Sequence, residues 1–215
     1  MINSGLRSKV SGTVLLVEDD RSLRSALSSA LKVRNIDYLE FESAQSLHEM
    51  LTGPGLPQPA CMLLDIRLGS GPTGLTVFDR IKRDGLETRV PVIFMTGHGD
   101  LDTAVDVMRD GAFDFVTKPF STPDLINKIE SALLSSAVAV DNENNQSRLV
   151  TLLGQLTDKE TEVMKWMVKG KTNREIAEIC GNSTRTVELH RARVFDKLNV
   201  SNAVELVRAL SILDS

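Results

Sequence analysis

Two apolar runs in this chain end in acids. Val14-Leu15-Leu16-Val17 leads into Glu18-Asp19-Asp20, and Leu63-Leu64 leads into Asp65. Two further runs end in groups of another kind, Phe94-Met95 in Thr96 and Val116-Thr117 in Lys118, with Pro119 following. Carboxylates crowded together repel one another and favour a hard cation such as Mg²⁺ or Mn²⁺, which takes a few carboxylates plus water. A hydroxyl and an ammonium suit the oxygens of a phosphoryl group. A strand-end Asp or Lys taken alone is more often a cap or a solvated charge than a catalyst, so their joint order carries the weight.

That order matters only if one scaffold brings the run ends together. From Thr13 to about Ser135, short β-rich runs alternate with helix-period segments, the pattern of a parallel sheet covered by helices on both faces. The expected strands are Val14–Val17, Tyr38–Phe41, Cys61–Leu64, Val90–Met95 and Phe113–Val116. Helices are expected to begin near Ser22, Ala44, Leu75, Leu101 and Thr122, with Ser43, Asp100 and Ser121 as N-caps. The fold class is therefore α/β: a doubly wound, five-stranded, flavodoxin-like sheet whose strand ends share one carboxyl edge, where ligands of such folds collect.

The order of an acid pair, Asp, Thr and Lys-Pro on successive strand ends resembles the receiver domain of the response regulators, and residues 12–135 are assigned to it. That resemblance implies that Asp65 is the phosphoacceptor. Glu18 and Asp19, with Asp65 and the backbone carbonyl of Arg67, would hold the metal, while Thr96 and Lys118 would contact the phosphoryl group. Setting Arg24 against the arginine common one turn into the first helix of the family makes Glu18-Asp19 the acid pair and leaves Asp20 as an extra acid. Phe115 matches the aromatic that moves inward after the threonine, and is nearly as well explained as a plain core residue. A cis peptide is implied at Lys118-Pro119.

Phe94-Met95-Thr96-Gly97-His98-Gly99-Asp100 resembles the FixJ type in particular, and His98 is expected in a surface loop, facing a kinase rather than acting as an acid or base. The loop Ile66 to Gly74 is longer than the family's usual one, which leaves access to Asp65 and the lifetime of its phosphoryl group open.

Residues Ala139 to Arg148 (AVDNENNQSR) lose apolar periodicity, as a linker or a solvent-exposed helix extension would. The boundary is placed at 136–154, with a second, all-α domain of four helices over 155–215: Asp158–Val168, Asn173–Ile179, Thr184–Leu198 and Asn202–Leu213. Thr157 and Glu160 form a capping-box pattern. Asn173 to Cys180, the Gly181-Asn182-Ser183 turn and the helix from Thr184 have helix-turn-helix length and punctuation. On the last of these, Val187, Val194 and Leu198 share one face with Phe195 beside them, while Arg185, Leu189, Ala192, Arg193 and Asp196 point away.

Leu156-Thr157, Glu160, Val163, Gly170, Asn173, Glu175-Ile176-Ala177, Thr186-Val187, His190 and Lys197-Leu198 resemble a LuxR-type DNA-binding domain over Leu156 to Leu210. The resemblance implies that Glu188, Leu189, Ala192 and Arg193 border the major groove of promoter DNA. Lys171, Asn173, Arg185, Thr186 and Arg191 would contact phosphates. It also implies a dimer strengthened by phosphorylation, with Val204, Val207 and Leu210 on the last helix as packing and dimer residues, and a sensor histidine kinase as phosphodonor.

Composition agrees with this division. Residues 1–140 hold 14 Lys and Arg against 18 Asp and Glu, whereas Lys165 to Lys197 hold 8 against 4, an imbalance that points to different partners without deciding them. No run has the length of a signal peptide core or a membrane span, and no membrane partner is expected. Cys61 and Cys180 lie far apart in apolar segments, consistent with buried thiols in a reducing cytoplasm.

Two other readings use the same residues. A Mg²⁺-dependent phosphatase passing through an aspartyl phosphate would need a second Asp two residues after Asp65, where Arg67 stands. A receiver that is never phosphorylated and binds DNA constitutively keeps every motif. Nucleotide binding fails because Glu18-Asp19-Asp20 fills the turn that a Gly-rich pyrophosphate cradle needs.

Overall fold

The computed structural model describes residues 11–51, 55–69, 71–97 and 101–214, which form two compact units divided between Val140 and Asp141. In the first, β1 (Thr13–Val17), β2 (Asp37–Phe41), β3 (Ala60–Asp65), β4 (Val92–Thr96) and β5 (Asp114–Thr117) form one parallel sheet in the order β2-β1-β3-β4-β5. Helices α1 (Arg21–Val33), α2 (Ala44–Leu51), α3 (Gly74–Arg83), α4 (Leu101–Arg109) and α5 (Thr122–Leu153) alternate with them. The near-continuous apolar character of β1, β3 and β4 follows from burial on both faces. Alternate residues of each strand enter different cores: Leu15, Met62, Leu64 and Phe94 pack with α2 and α3, and Leu16, Leu63, Ile93 and Met95 pack with α1 and α5.

The strand ends share one edge because the sheet is parallel and in register. Val17 pairs with Leu64, and Asp65 pairs with Met95. Helix α1 begins at Arg21 rather than Ser22 because Asp20 is its N-cap, its Oδ1 accepting from the amides of Ser22 (2.7 Å) and Leu23 (2.9 Å). Strand β4 begins two residues later than expected, after Pro91, whose carbonyl still accepts from Met62 N (2.9 Å). The expected cap Asp100 lies outside the described residues.

Residues 136–154, expected to join two domains, are helical through Leu153, so the polar stretch Ala139 to Arg148 takes the form of a helix extension. No Pro or Gly interrupts the sequence from Asp124 to Leu153, and Gly154 follows its end.

In the second unit α6 (Asp158–Val168), α7 (Asn173–Cys180), α8 (Thr184–Leu198) and α9 (Ala203–Leu210) surround a core of Val163, Met164, Met167, Ile176, Val187, Val194, Leu198 and Leu206. Asn202, expected as the first residue of α9, is its N-cap, and a 3₁₀ turn, Ser211–Asp214, continues it. Gly181 and Asn199 close α7 and α8 in the left-handed conformation. Among the described residues no helix is long and apolar enough to cross a membrane.

Candidate functional site

At the carboxyl edge of the sheet, Glu18 and Asp65 are almost wholly buried while Asp19 is exposed, and one carboxylate oxygen of each lies within 4.8 Å of the others. Lys118, arriving from just beyond β5, bridges two of them: its Nζ donates to Glu18 Oε2 (2.8 Å) and Asp65 Oδ2 (2.7 Å). Burial pushes the Glu18 carboxyl above its usual range, and the negative charge of Asp65 adds to this, outweighing the hydrogen bond from Lys118. Burial also opposes charge on Lys118, but its bonds to Asp65 and Glu18 prevail and hold it as an ammonium. One cation is thus divided between two carboxylates, with a third nearby.

The surrounding backbone fixes this cluster. Glu18 N donates to the Phe41 carbonyl (3.1 Å), and Arg67 N donates to Asp65 Oδ1 (3.2 Å). Gly69 adopts a positive φ of 43° beside Asp19; a side chain there would start 3.2 Å from Asp19 Oδ2. Gly74 opens α3 against the end of β3, and an added Cβ would fall 2.1 Å from the Asp65 carbonyl oxygen, so only glycine fits. Ser70, within this loop, lies outside the described residues.

Of the remaining sequence candidates, Thr96 is fully buried at the end of β4, and its hydroxyl donates to the Val116 carbonyl at 3.4 Å. Phe115 is partly buried and packs on the core of Phe78 and Phe94. The Lys118-Pro119 peptide is cis, as is Gln58-Pro59. His98 lies outside the described residues. The Asp20 carboxyl stands outside the cluster, although its amide donates to Glu18 Oε1 (3.2 Å); its backbone hydrogen bonds as a helix cap hold that carboxyl below the usual range. Two structural roles went unread in the sequence. Gly74 is needed for a contact invisible along the chain, and the Arg24 side chain donates to the carbonyls of Glu18 and Asp19.

In the second unit, capping boxes fix both α6 (Thr157 with Glu160) and α7 (Thr172 with Glu175), while Ser183 caps α8 by accepting from Thr186 N (3.1 Å). The tight turn after Gly181 then presents α8 with Val187, Val194 and Leu198 inward. Arg185, Glu188, Leu189, Ala192 and Arg193 are exposed, and Leu189 keeps 51% of its surface open although it is apolar. Arg191 lays its guanidinium over the Phe195 ring, 5.8 Å from the centroid. Thr186 and Asn173 are partly exposed, and Lys171 is paired with Glu175 (2.9 Å), a partner not anticipated from sequence. On α9, Val204 and Val207 are exposed while Leu210 packs on the core.

Comparison with known proteins agrees with both halves. Residues 14–130 match the response regulator receiver domain, and residues 154–210 match the luxR family of bacterial regulatory proteins. The tetrathionate response regulatory protein TtrR of Salmonella typhimurium is 35% identical over 200 residues, covering 91% of this chain and 90% of that one. The transcriptional regulatory protein FixJ of Bradyrhizobium diazoefficiens is 32% identical over 197 residues, covering 92% and 93%. Among solved structures, the response regulator StyR superposes with a TM-score of 0.82 at 30% identity, covering 94% of this chain and 98% of that one. The chain belongs to the response regulators of two-component systems, in the FixJ/NarL-type group of transcriptional regulators that join a receiver domain to a LuxR-type DNA-binding domain.

Proposed function

We propose that Asp65 accepts a phosphoryl group from a sensor histidine kinase and that the charge so placed changes dimerisation and promoter binding. The convergence of Glu18 and Asp19, Asp65, and Lys118 from three strand ends carries this reading. In the transfer, an Asp65 oxygen attacks phosphorus in line, and the P–N bond to the kinase imidazole breaks. Its electron pair stays on nitrogen, and an acyl phosphate forms on Asp65. Hydrolysis of that acyl phosphate by water would be the protein's own reset; in this reading it acts on no other substrate.

Three carboxylates against one ammonium leave two negative charges, the complement of one divalent ion, and an all-oxygen donor set fits Mg²⁺ or Mn²⁺. Glu18, Asp19 and Asp65, with the Arg67 carbonyl, would hold it, and when bound it supplies charge that offsets the incoming phosphoryl oxygens. Lys118 shares that role from the side of β5. Thr96 would exchange the Val116 carbonyl for a phosphoryl oxygen, and Phe115 would follow into the space released.

In the same reading residues 12–135 are the phosphoacceptor domain, 136–154 join it to the rest, and 155–215 read promoter DNA in the cytoplasm. Glu188, Leu189, Ala192 and Arg193 border the major groove, while Lys171, Asn173, Arg185, Thr186 and Arg191 meet phosphates. The exposed Val204 and Val207 supply a self-pairing surface on a two-fold operator. The test is to sequence genomic fragments retained by the full-length protein with and without acetyl phosphate and Mg²⁺, beside Asp65→Asn. A common operator enriched by the wild type only with donor is expected. Equal enrichment by both proteins, unmoved by donor, would mean constitutive DNA binding.

A further inference from the structure

We propose that Arg24 is a positioning residue for the metal-holding loop, and that Glu40 and Ser28 brace it; the role rests on the reading of Glu18 and Asp19 as metal ligands. Arg24 stands one turn into α1, its amide donating to the carbonyl of the Asp20 cap (2.9 Å), and its side chain is only 13% exposed. A single nitrogen, Nη1, donates to the Glu18 carbonyl at 2.6 Å and the Asp19 carbonyl at 3.2 Å. Two successive carbonyls of an extended chain point apart; drawn onto one nitrogen, they bend the backbone where β1 ends. The carboxylates of these two residues are the ones that lie within 4.8 Å of Asp65. Mutual repulsion favours opening the loop, and the charge-assisted bonds from Arg24 oppose it.

The guanidinium is braced in turn. Its Nε lies 3.7 Å from Glu40 Oε2, and Glu40 Oε1 accepts from the buried Ser28 hydroxyl at 2.6 Å. Glu40 belongs to β2, paired in register with Leu16 of β1, so the brace and the loop spring from neighbouring strands. Arg24 has only donors and cannot ligate a cation. Its positive charge alone would repel Mg²⁺. The two roles therefore have opposite signs: removing Arg24 tightens metal binding if it acts by charge, and weakens it if it acts by holding the loop.

The experiment titrates MgCl₂ calorimetrically into the full-length wild type, Arg24→Ala, Arg24→Lys and Glu40→Gln, with urea midpoints measured in parallel without metal. Outer-shell partners of metal ligands contribute about 10–100-fold to affinity, and a loss in that range is expected for Arg24→Ala. Arg24→Lys, with one compact ammonium in place of the fork, and Glu40→Gln are expected to lose less. With acetyl phosphate as donor, the half-saturating Mg²⁺ concentration should rise while the labelling rate at saturating Mg²⁺ stays near the wild-type value. Unchanged or tighter Mg²⁺ binding in the variants overturns the positioning role, and if Arg24→Ala does not fold, Arg24→Lys and Glu40→Gln decide it by the same criterion. A wild type that binds no Mg²⁺ would instead remove the metal centre itself, and the role of Arg24 with it.

Discussion

Each compact unit holds a buried glutamate gripped by a lysine distant in sequence, and the two are driven in opposite directions. Glu18 is 1% exposed with Lys118 Nζ at 2.8 Å, and Glu160 is 2% exposed with Lys197 Nζ at 2.6 Å. Burial pushes Glu18 up, whereas the hydrogen bonds from Lys197 and the Thr157 amide hold Glu160 down at about 2. Burial weighs most on Glu18 and less than the hydrogen bonds on Glu160, and the neighbours widen the difference. Lys118 is divided between Glu18 and Asp65, while Glu160 has Lys197 as its one cationic partner among the described residues and also closes the capping box on Thr157 N (2.9 Å). A buried carboxylate left short of positive charge would gain from a further cation, as the proposed metal site requires; one fully satisfied is a structural clasp.

The largest expected effect comes from the backbone around the first glutamate's partner. Gly74→Ala sets a Cβ 2.1 Å from the Asp65 carbonyl oxygen, a backbone clash expected to cost about 3 kcal/mol or more. Urea unfolding followed by far-UV circular dichroism should show early loss of the first unit. Fluorescence of Trp166, the single tryptophan, should keep its midpoint because it sits in α6. Coincident shifts of both signals would contradict separate stabilities.

The lysines can be compared directly. Lys118→Met leaves facing carboxylates uncompensated and should cost about 2 kcal/mol in EDTA, discounted for the lysine's partial exposure, with much of it restored by Mg²⁺. Lys197→Met should also lower stability, but Mg²⁺ should restore nothing. Thermal melts with EDTA and with MgCl₂ check both, and a Mg²⁺ response at Lys197→Met would erase the distinction.

Acid offers a finer cut. Because the folded pKa of Glu160 is lowered from 4.5 to about 2, its contribution is complete above about pH 5 and fades as pH falls towards 2. Glu160→Gln should cost about 1–2 kcal/mol at pH 7. The gap from wild type, read by Trp166 fluorescence in urea, should close between pH 5 and 2. A gap independent of pH would mean that the charge of Glu160 is not what stabilises the cap.

Much of this contrast was legible along the chain. Unbroken apolar runs ending in Glu18, Asp65, Thr96 and Lys118 identify buried parallel strands and the edge where they finish, and Thr157 with Glu160 announces a helix start. What stayed hidden depends on distance in space. Asp20 reads as an extra acid beside the pair and is a cap; Gly74 looked like loop composition and is a close contact. Arg24 served only to align the acid pair, because nothing in sequence says where a guanidinium reaches. The polar stretch Ala139 to Arg148 left a linker and a helix extension open, and without Pro or Gly it is helical. Lys171 reads as a phosphate contact by its place, yet Glu175 four residues on already pairs with it.

The smallest expected effect concerns the exposed side of α8. Leu189→Ala should leave the Trp166 unfolding midpoint unchanged, since the side chain is half open to solvent. It should weaken operator binding by about 1 kcal/mol if the residue meets a thymine methyl, measured by fluorescence anisotropy at fixed salt. A stability loss without an affinity loss would move Leu189 from the reading face to the core.

The central claim, that the under-compensated cluster is a phosphoryl-accepting centre, is tested most directly by mass spectrometry of the intact protein and its peptides after incubation with acetyl phosphate. We expect one added phosphoryl group on the wild type, located at Asp65 and dependent on Mg²⁺, and none on Asp65→Asn. Mg²⁺-dependent labelling of Asp65→Asn to the wild-type level, or location of the group at another residue of the wild type, would contradict it.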